Sequence, residues 1–263
     1  MSCLALFISY LCARKLAPST IMSYISAIGY AHKMKGFADP TKAFLIRKLL
    51  TAVGRNKSSD IRLPITRQVL HELVESLVHT NSSAWQRTLF KAMFLVAFYG
   101  FFRLGELAIK GPSSVSVVLQ YSDIQFLSLD STVQKVKITI SHYKHNAANR
   151  PCEIIIDRQS EESFCPVQSM IDYCRIRGKQ PGSLFCYADM RAVTITKFNI
   201  ELQRSLAFCG LDSGRYKSHS FRIGAASYAA EQGLSDAQIR SLGRWKSDAF
   251  KLYIRPTSLP SLS

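Results

Sequence analysis

Along the chain, the spacing of apolar residues changes twice, from a helical period to an alternating one and back. From the start to about Lys57 the apolar positions recur at three- and four-residue intervals, which predicts an all-helical unit. The opening MSCLALFISYLCARK reads as a helix that packs. Its bases follow the apolar run, the reverse of the order in a secretory signal. Pro18-Ser19-Thr20 and Gly36 supply start and stop signals for a second helix, with Ile21, Tyr24, Ile25 and Ile28 expected on one face. In a third, DPTKAFLIRKLLTAVGR, Leu45, Leu49 and Ala52 are expected on one side, and Arg47, Thr51 and Arg55 on another with Lys48 close by. Polar Gly54–Thr66 has linker composition and predicts a boundary between a domain at 1–60 and a second at 64–263.

Beyond that boundary the pattern predicts a helix near Arg67–Val78 and a buried helix from about Ser83 to Phe102. From Asp123 the period falls to two. SDIQFL, KVKITI and CEIIID read as three short strands, with Val136, Ile138 and Ile140 alternating with Lys135, Lys137 and Thr139. The polar turn SHYKHNAANRP separates the last two. From Pro166 the helical period returns and holds to the end. The fold class expected is mainly α with a small three-stranded antiparallel sheet.

Composition changes this picture in one respect. Among 263 residues, 34 Lys and Arg face 18 Asp and Glu, a formal net charge of +16, which points to a polyanionic partner. Residues 1–60 hold Arg14, Lys15, Lys33, Lys35, Lys42, Arg47, Lys48, Arg55 and Lys57 against only Asp39 and Asp60. One basic helix face is usually just solvated. So lopsided a balance over a whole helical unit favours phosphate contacts, with Arg47, Lys48 and Arg55 as candidate DNA-binding residues. A membrane partner is disfavoured, because the longest apolar run, Ala92–Phe102, is too short to span a bilayer. Seven scattered cysteines with no C-x-x-C suggest neither a disulfide framework nor a zinc site, and fit a reducing compartment.

Four places hold candidate chemistry. In FFRLGEL, Arg103 and Glu106 stand three apart on what reads as one helix face after a buried run. They form either a structural pair or an arginine held by Glu106 and aimed at a phosphate. Lys144 sits in the turn between two strands, where most lysines are merely solvated. His142 and His145 flank it but make a poor metal site. His219 and Arg222 fall at a helix start, which favours anions, although a capped helix with a structural histidine reads equally well. Trp245 and Tyr253 taken singly read as packing residues. Together the six form a set able to attack a phosphodiester without metal or cofactor. Tyrosine would be the nucleophile, the arginines would neutralise charge growing on the phosphate, and lysine and histidine would move protons.

R-L-G-E at Arg103–Glu106, the turn lysine, H-S-F-R-I-G-A-A from His219, L-G-R-W ending at Trp245 and Y-I-R from Tyr253 resemble the tyrosine recombinase (phage integrase) family. The match runs in the family's order across Pro64–Arg255. The helical start resembles that family's core-binding domain. The Arg-Trp pair ahead of the tyrosine resembles eukaryotic mobile-element members of the Crypton or DIRS kind. The resemblance implies a clamp around double-stranded DNA, cleavage and rejoining through a 3′-phosphotyrosyl bond, and exchange of strands in a homo-oligomer, a tetramer in relatives. It also implies recombination or integration in the nucleus, or in the cytoplasm of a prokaryote. By position, Arg103 and Arg222 are the clamp arginines, Lys144 the general acid and His219 the base-like histidine. Trp245 stands where relatives have His or Trp, Tyr253 is the nucleophile, and Glu106 supports the first arginine.

The sequence departs from the family pattern in three ways. Many relatives have one more residue between the His/Trp position and the tyrosine. The tail after Tyr253 is short and broken by Pro256 and Pro260. Met1 falls where a first core-binding helix should already be under way. A copy shortened at its start is therefore expected. The rival readings are a non-catalytic DNA-binding protein domesticated from such an element and a nicking enzyme like the type IB topoisomerases. An intact set of six argues against the first, and relaxation of plasmids by a monomer would mark the second.

Overall fold

The computed structural model describes residues 3–55, 62–142 and 150–255. The chain divides into two compact units, Met1–Ile61 and Arg62–Ser263.

The first unit holds three helices, α1 (Cys3–Ala13), α2 (Pro18–Met34) and α3 (Phe44–Arg55). Pro18 at the first position of α2 has no N–H that the helix would leave unpaired, and Gly36, with φ +71°, ends the chain's helical course in the left-handed region. A small core of Ala5, Ile8, Leu11, Ile21, Ile25, Ile46 and Val53 closes the unit. Two face assignments need correcting. Tyr24 is exposed, because the buried arc of α2 is centred on Ile21, Ile25 and Gly29 and Tyr24 lies off its edge. In α3 the inward positions are Ile46 and Val53 with Leu49 and Leu50 half-buried, so Leu45 and Ala52 face solvent. The seven-residue interval from Ile46 to Val53 sets that face, and Leu45 sits roughly a quarter turn away from it.

The second unit is built around α5 (Ala84–Tyr99), which packs against α4 (Arg67–Thr80), and against α7 and α9 below. Thr66 and Ser83 cap α4 and α5 by accepting the Val69 and Gln86 N–H groups. Every residue of α5 from Leu89 to Phe98 except Lys91 is buried, as the apolar run from Ala92 requires. A short helix α6 (Leu104–Leu107) follows, then three strands in the order β1 (Ile124–Leu129), β2 (Thr132–Ile140) and β3 (Cys152–Asp157). Both pairings are antiparallel, with Phe126 opposite Val136 and Ile138 opposite Ile154. Val136, Ile138, Ile140, Ile154 and Ile156 face the core, so the alternation read from sequence is the alternation of the sheet.

The remaining helices are α7 (Pro166–Arg177), α8 (Ile195–Phe208), α9 (Ser220–Glu231) and α10 (Asp236–Leu242), followed by a 3₁₀ turn at Asp248–Tyr253. The stretch 62–66 is built into this unit: Leu63 and Ile65 donate backbone hydrogen bonds to Arg215 and Ser220 carbonyls, and Ile65 is fully buried. Gly224 of α9 permits that approach, since a Cβ there would lie 1.8 Å from the Ile65 carbonyl oxygen. Among the described residues no helix is long and apolar enough to cross a membrane.

Candidate active site

Four segments of the second unit converge on one cluster. They are the turn after α5 with α6, the start of α9, the segment after α10, and the final 3₁₀ turn.

The α5 helix stops at Gly100, and Phe101 adopts φ +52°, which turns its carbonyl inward. Arg103 follows in extended conformation as the residue before α6, not on a shared helix face with Glu106. Glu106 reaches back over one turn: Oε2 accepts the Arg103 backbone N–H at 2.8 Å and Oε1 accepts Arg103 Nη1 at 3.0 Å. The glutamate is buried, while the Arg103 side chain keeps 23% of its surface open to solvent. The ion pair exists, and the arginine side chain is still accessible to solvent.

His219 immediately precedes α9 and Arg222 lies in its first turn. Arg222 is 1% exposed and, among the described residues, pairs with no carboxylate. Its guanidinium donates from Nη1 to the Phe101 carbonyl and from Nη2 to the Gly243 carbonyl at 2.8 Å, and Nε has no partner. Burial, together with the nearby positive Arg103 and Arg244, draws its pKa down to about 9, well below the usual guanidinium range, with Glu106 opposing. The site therefore carries buried positive charge that its one carboxylate does not neutralise.

The segment after α10 contributes a ring and a turn. Trp245 lies over the Arg222 guanidinium at 4.4 Å and meets Phe101 edge-on. Gly243 makes room for it, because a Cβ there would fall 1.5 Å from the indole ring. The final turn brings in Tyr253, whose hydroxyl lies 2.8 Å from His219 Nε2. The tyrosine ring is 5.0 Å from the Trp245 ring and 6.0 Å from the Arg222 guanidinium. Ser227 of α9 fixes this turn on both sides, donating to the Tyr253 carbonyl at 3.1 Å and accepting the Arg255 N–H at 2.9 Å.

The structure thus brings together Arg103, Glu106, His219, Arg222, Trp245 and Tyr253. Lys144, between β2 and β3, lies outside the described residues. Arg47, Lys48 and Arg55 are exposed on α3, and Lys48 also sits over the Phe44 ring at 5.4 Å. Sequence reasoning missed Arg244. Its side chain is 4% exposed and donates to Glu106 Oε2 at 2.7 Å and to the carbonyls of Phe101 at 3.2 Å and Gly100 at 3.3 Å. The L-G-R-W motif contains it, but the tryptophan beside it drew the attention. Ser227 and the Phe101 carbonyl were also missed, having no motif to mark them. Among the described residues no three His, Cys, Asp or Glu side chains gather as a metal site.

A helical unit and a second, mostly helical unit with a three-stranded antiparallel sheet are the architecture shared with the solved recombinases and integrases below. No family model matches the sequence. The chain is similar to an integrase/recombinase XerD homologue of Selenomonas ruminantium, 25% identical over 241 residues. That alignment covers 88% of this chain and 66% of the relative's length. In structure it resembles the XerH site-specific recombinase in a post-cleavage complex with palindromic difH substrate, at TM-score 0.62 and 17% identity, covering 95% of this chain and 67% of that one. It also resembles the Tn1549 transposon integrase in complex with circular intermediate DNA, at TM-score 0.61 and 11% identity, covering 97% and 81%. A λ integrase dimer bound to a COC′ core site superposes at TM-score 0.53 and 15% identity, covering 99% and 79%.

Proposed function

We propose that this chain is a DNA strand transferase of the tyrosine recombinase family. In this reading it cleaves and rejoins double-stranded DNA through a 3′-phosphotyrosyl bond, without metal or cofactor. The observation that carries the reading is the Tyr253 hydroxyl at 2.8 Å from His219 Nε2, beside the under-neutralised Arg222. A phenol hydrogen-bonded to an imidazole has a proton acceptor in reach, and buried guanidinium groups short of negative charge suit a phosphate.

In the proposed step the Tyr253 oxygen attacks phosphorus and its proton passes to His219. Arg103 and Arg222 take the charge developing on the non-bridging oxygens. The bond to the 5′ oxygen breaks, and Lys144, the family's general acid by position, supplies that oxygen's proton. Attack by a new 5′ hydroxyl reverses the sequence and releases the tyrosine, so the ester energy is kept. Arg47, Lys48 and Arg55 would meet DNA phosphates from the first unit, the core-binding domain in this reading. Assembly as a homo-oligomer on paired sites, a tetramer in the family, follows from the same resemblance. So does nuclear action as a Crypton- or DIRS-like element, supported by the Arg-Trp pair ahead of the tyrosine.

The test uses a pool of nicked duplexes that lose a short strand on cleavage and so trap the adduct. The wild-type chain should form a denaturant-resistant protein–DNA species that Tyr253→Phe does not form. DNA binding with no adduct in either would favour the domesticated binder, and relaxation of supercoiled plasmid by a monomer would favour the topoisomerase-like reading.

A further inference from the structure

Glu106 serves two arginines. Its Oε1 takes Arg103 Nη1 at 3.0 Å, and its Oε2 takes both the Arg103 backbone N–H at 2.8 Å and Arg244 Nη2 at 2.7 Å. A carboxylate facing a single arginine favours the two-point fork, in which both oxygens meet the guanidinium edge. Here the second oxygen is taken, and Arg103 is held at one point of its guanidinium. Among the described residues its side chain has no other partner, and it keeps 23% of its surface open to solvent.

Arg244 itself is committed to the protein, its guanidinium donating to Glu106 and to two backbone carbonyls. Its side chain is 4% exposed, lies over the Phe102 ring at 5.3 Å, and is tied to the carbonyls of Gly100 and Phe101. Its backbone is left-handed, with φ +55°, and its chain neighbour Trp245 stacks on Arg222 instead. The Phe101 carbonyl that Arg244 meets is also an acceptor for Arg222.

We propose that Arg244 is a positioning residue for the phosphate clamp: by occupying one oxygen of Glu106 it keeps Arg103 in a one-point grip with its other donors free for the phosphate. This rests on the recombinase reading of the site. Without Arg244, Glu106 closes on Arg103 with both oxygens and competes with substrate for the same donors.

The experiment compares wild type, Arg244→Met, Arg244→Lys and Arg103→Ala on a duplex the wild type cleaves. Each duplex carries either the ordinary phosphate or a methylphosphonate at the cleaved position. The methyl group removes the negative charge that the clamp arginines meet. On the phosphate, Arg244→Met should lose about 10²-fold in cleavage rate, as for removal of one oriented donor, and Arg244→Lys, which keeps a cation on Glu106, about tenfold or less. On the methylphosphonate, both Arg244→Met and Arg103→Ala should come back toward wild type. Equal losses on both substrates would mark Arg244 as merely structural and overturn the proposal. A crystal structure of Arg244→Met gives an independent readout: two-point closure of Glu106 on Arg103 supports the proposal, and an unchanged one-point grip refutes it. Absence of any wild-type adduct would sink the recombinase reading, and the crystal structure would then decide the arrangement of the three side chains on its own.

Discussion

Two basic regions of this chain deal with their charge in opposite ways. On α3, Arg47, Lys48 and Arg55 stand in water, where a guanidinium or ammonium keeps its hydration and costs the fold little. In the second unit, Arg222 and Arg244 are buried, and burial drives the pKa of each below the usual range. Holding them requires carbonyl acceptors from Gly100, Phe101 and Gly243, the Trp245 ring and the shared Glu106. The exposed face suits a partner met along its length with no fixed geometry. In the proposed reading, the enclosed cluster meets one phosphate in one orientation, because its side chains are held in place before the anion arrives.

The contrast can be broken or sharpened by substitution. The largest effect is expected inside the pocket: Arg222→Ala should cost on the order of 10³-fold or more in adduct formation, while gel-shift affinity for DNA falls far less. Loss of binding in proportion to cleavage would erase the distinction between the two regions. Next comes stability. Arg244→Ala removes half of what neutralises the buried Glu106 and should destabilise the chain by about 3 kcal/mol in urea unfolding, whereas Arg47→Ala should change it by less than about 0.5 kcal/mol. Ser227→Ala should lower cleavage without altering affinity, because it loosens the backbone on both sides of Tyr253. The smallest effect belongs to the outer face. Arg47→Ala with Arg55→Ala should weaken binding to all sequences alike and reduce the slope of log affinity against log salt by about 2, roughly 0.9 for each phosphate no longer neutralised. Arg222→Ala should reduce that slope by no more than about 0.9, because Arg222 meets a single phosphate in this reading.

Much of the second unit was legible in the sequence because its periodicities are unambiguous. Ala92–Phe98 is apolar on every side and is a buried helix, and Val136, Ile138 and Ile140 alternate and form a half-buried strand. The small first unit was less legible. Three short helices share a narrow core, so one position of rotation decides whether Leu45 or Ile46 faces inward, and propensity does not separate them. In the site, Arg103, His219, Arg222 and Tyr253 could be singled out because their side chains belong to one chemistry. Arg244 was harder to read: an arginine beside tryptophan looks like surface charge until Glu106, far away in sequence, is seen to face it at 2.7 Å. The Phe101 carbonyl, displayed by a left-handed backbone turn, left no trace in the side-chain pattern at all.

The central claim is that the Tyr253 oxygen, 2.8 Å from His219, forms the bond to DNA. Its most direct test is mass spectrometry of the trapped protein–DNA adduct after protease and nuclease digestion. The account predicts a nucleotide joined through its 3′ phosphate to the peptide that contains Tyr253. A nucleotide on any other residue, or joined through its 5′ phosphate, would contradict it.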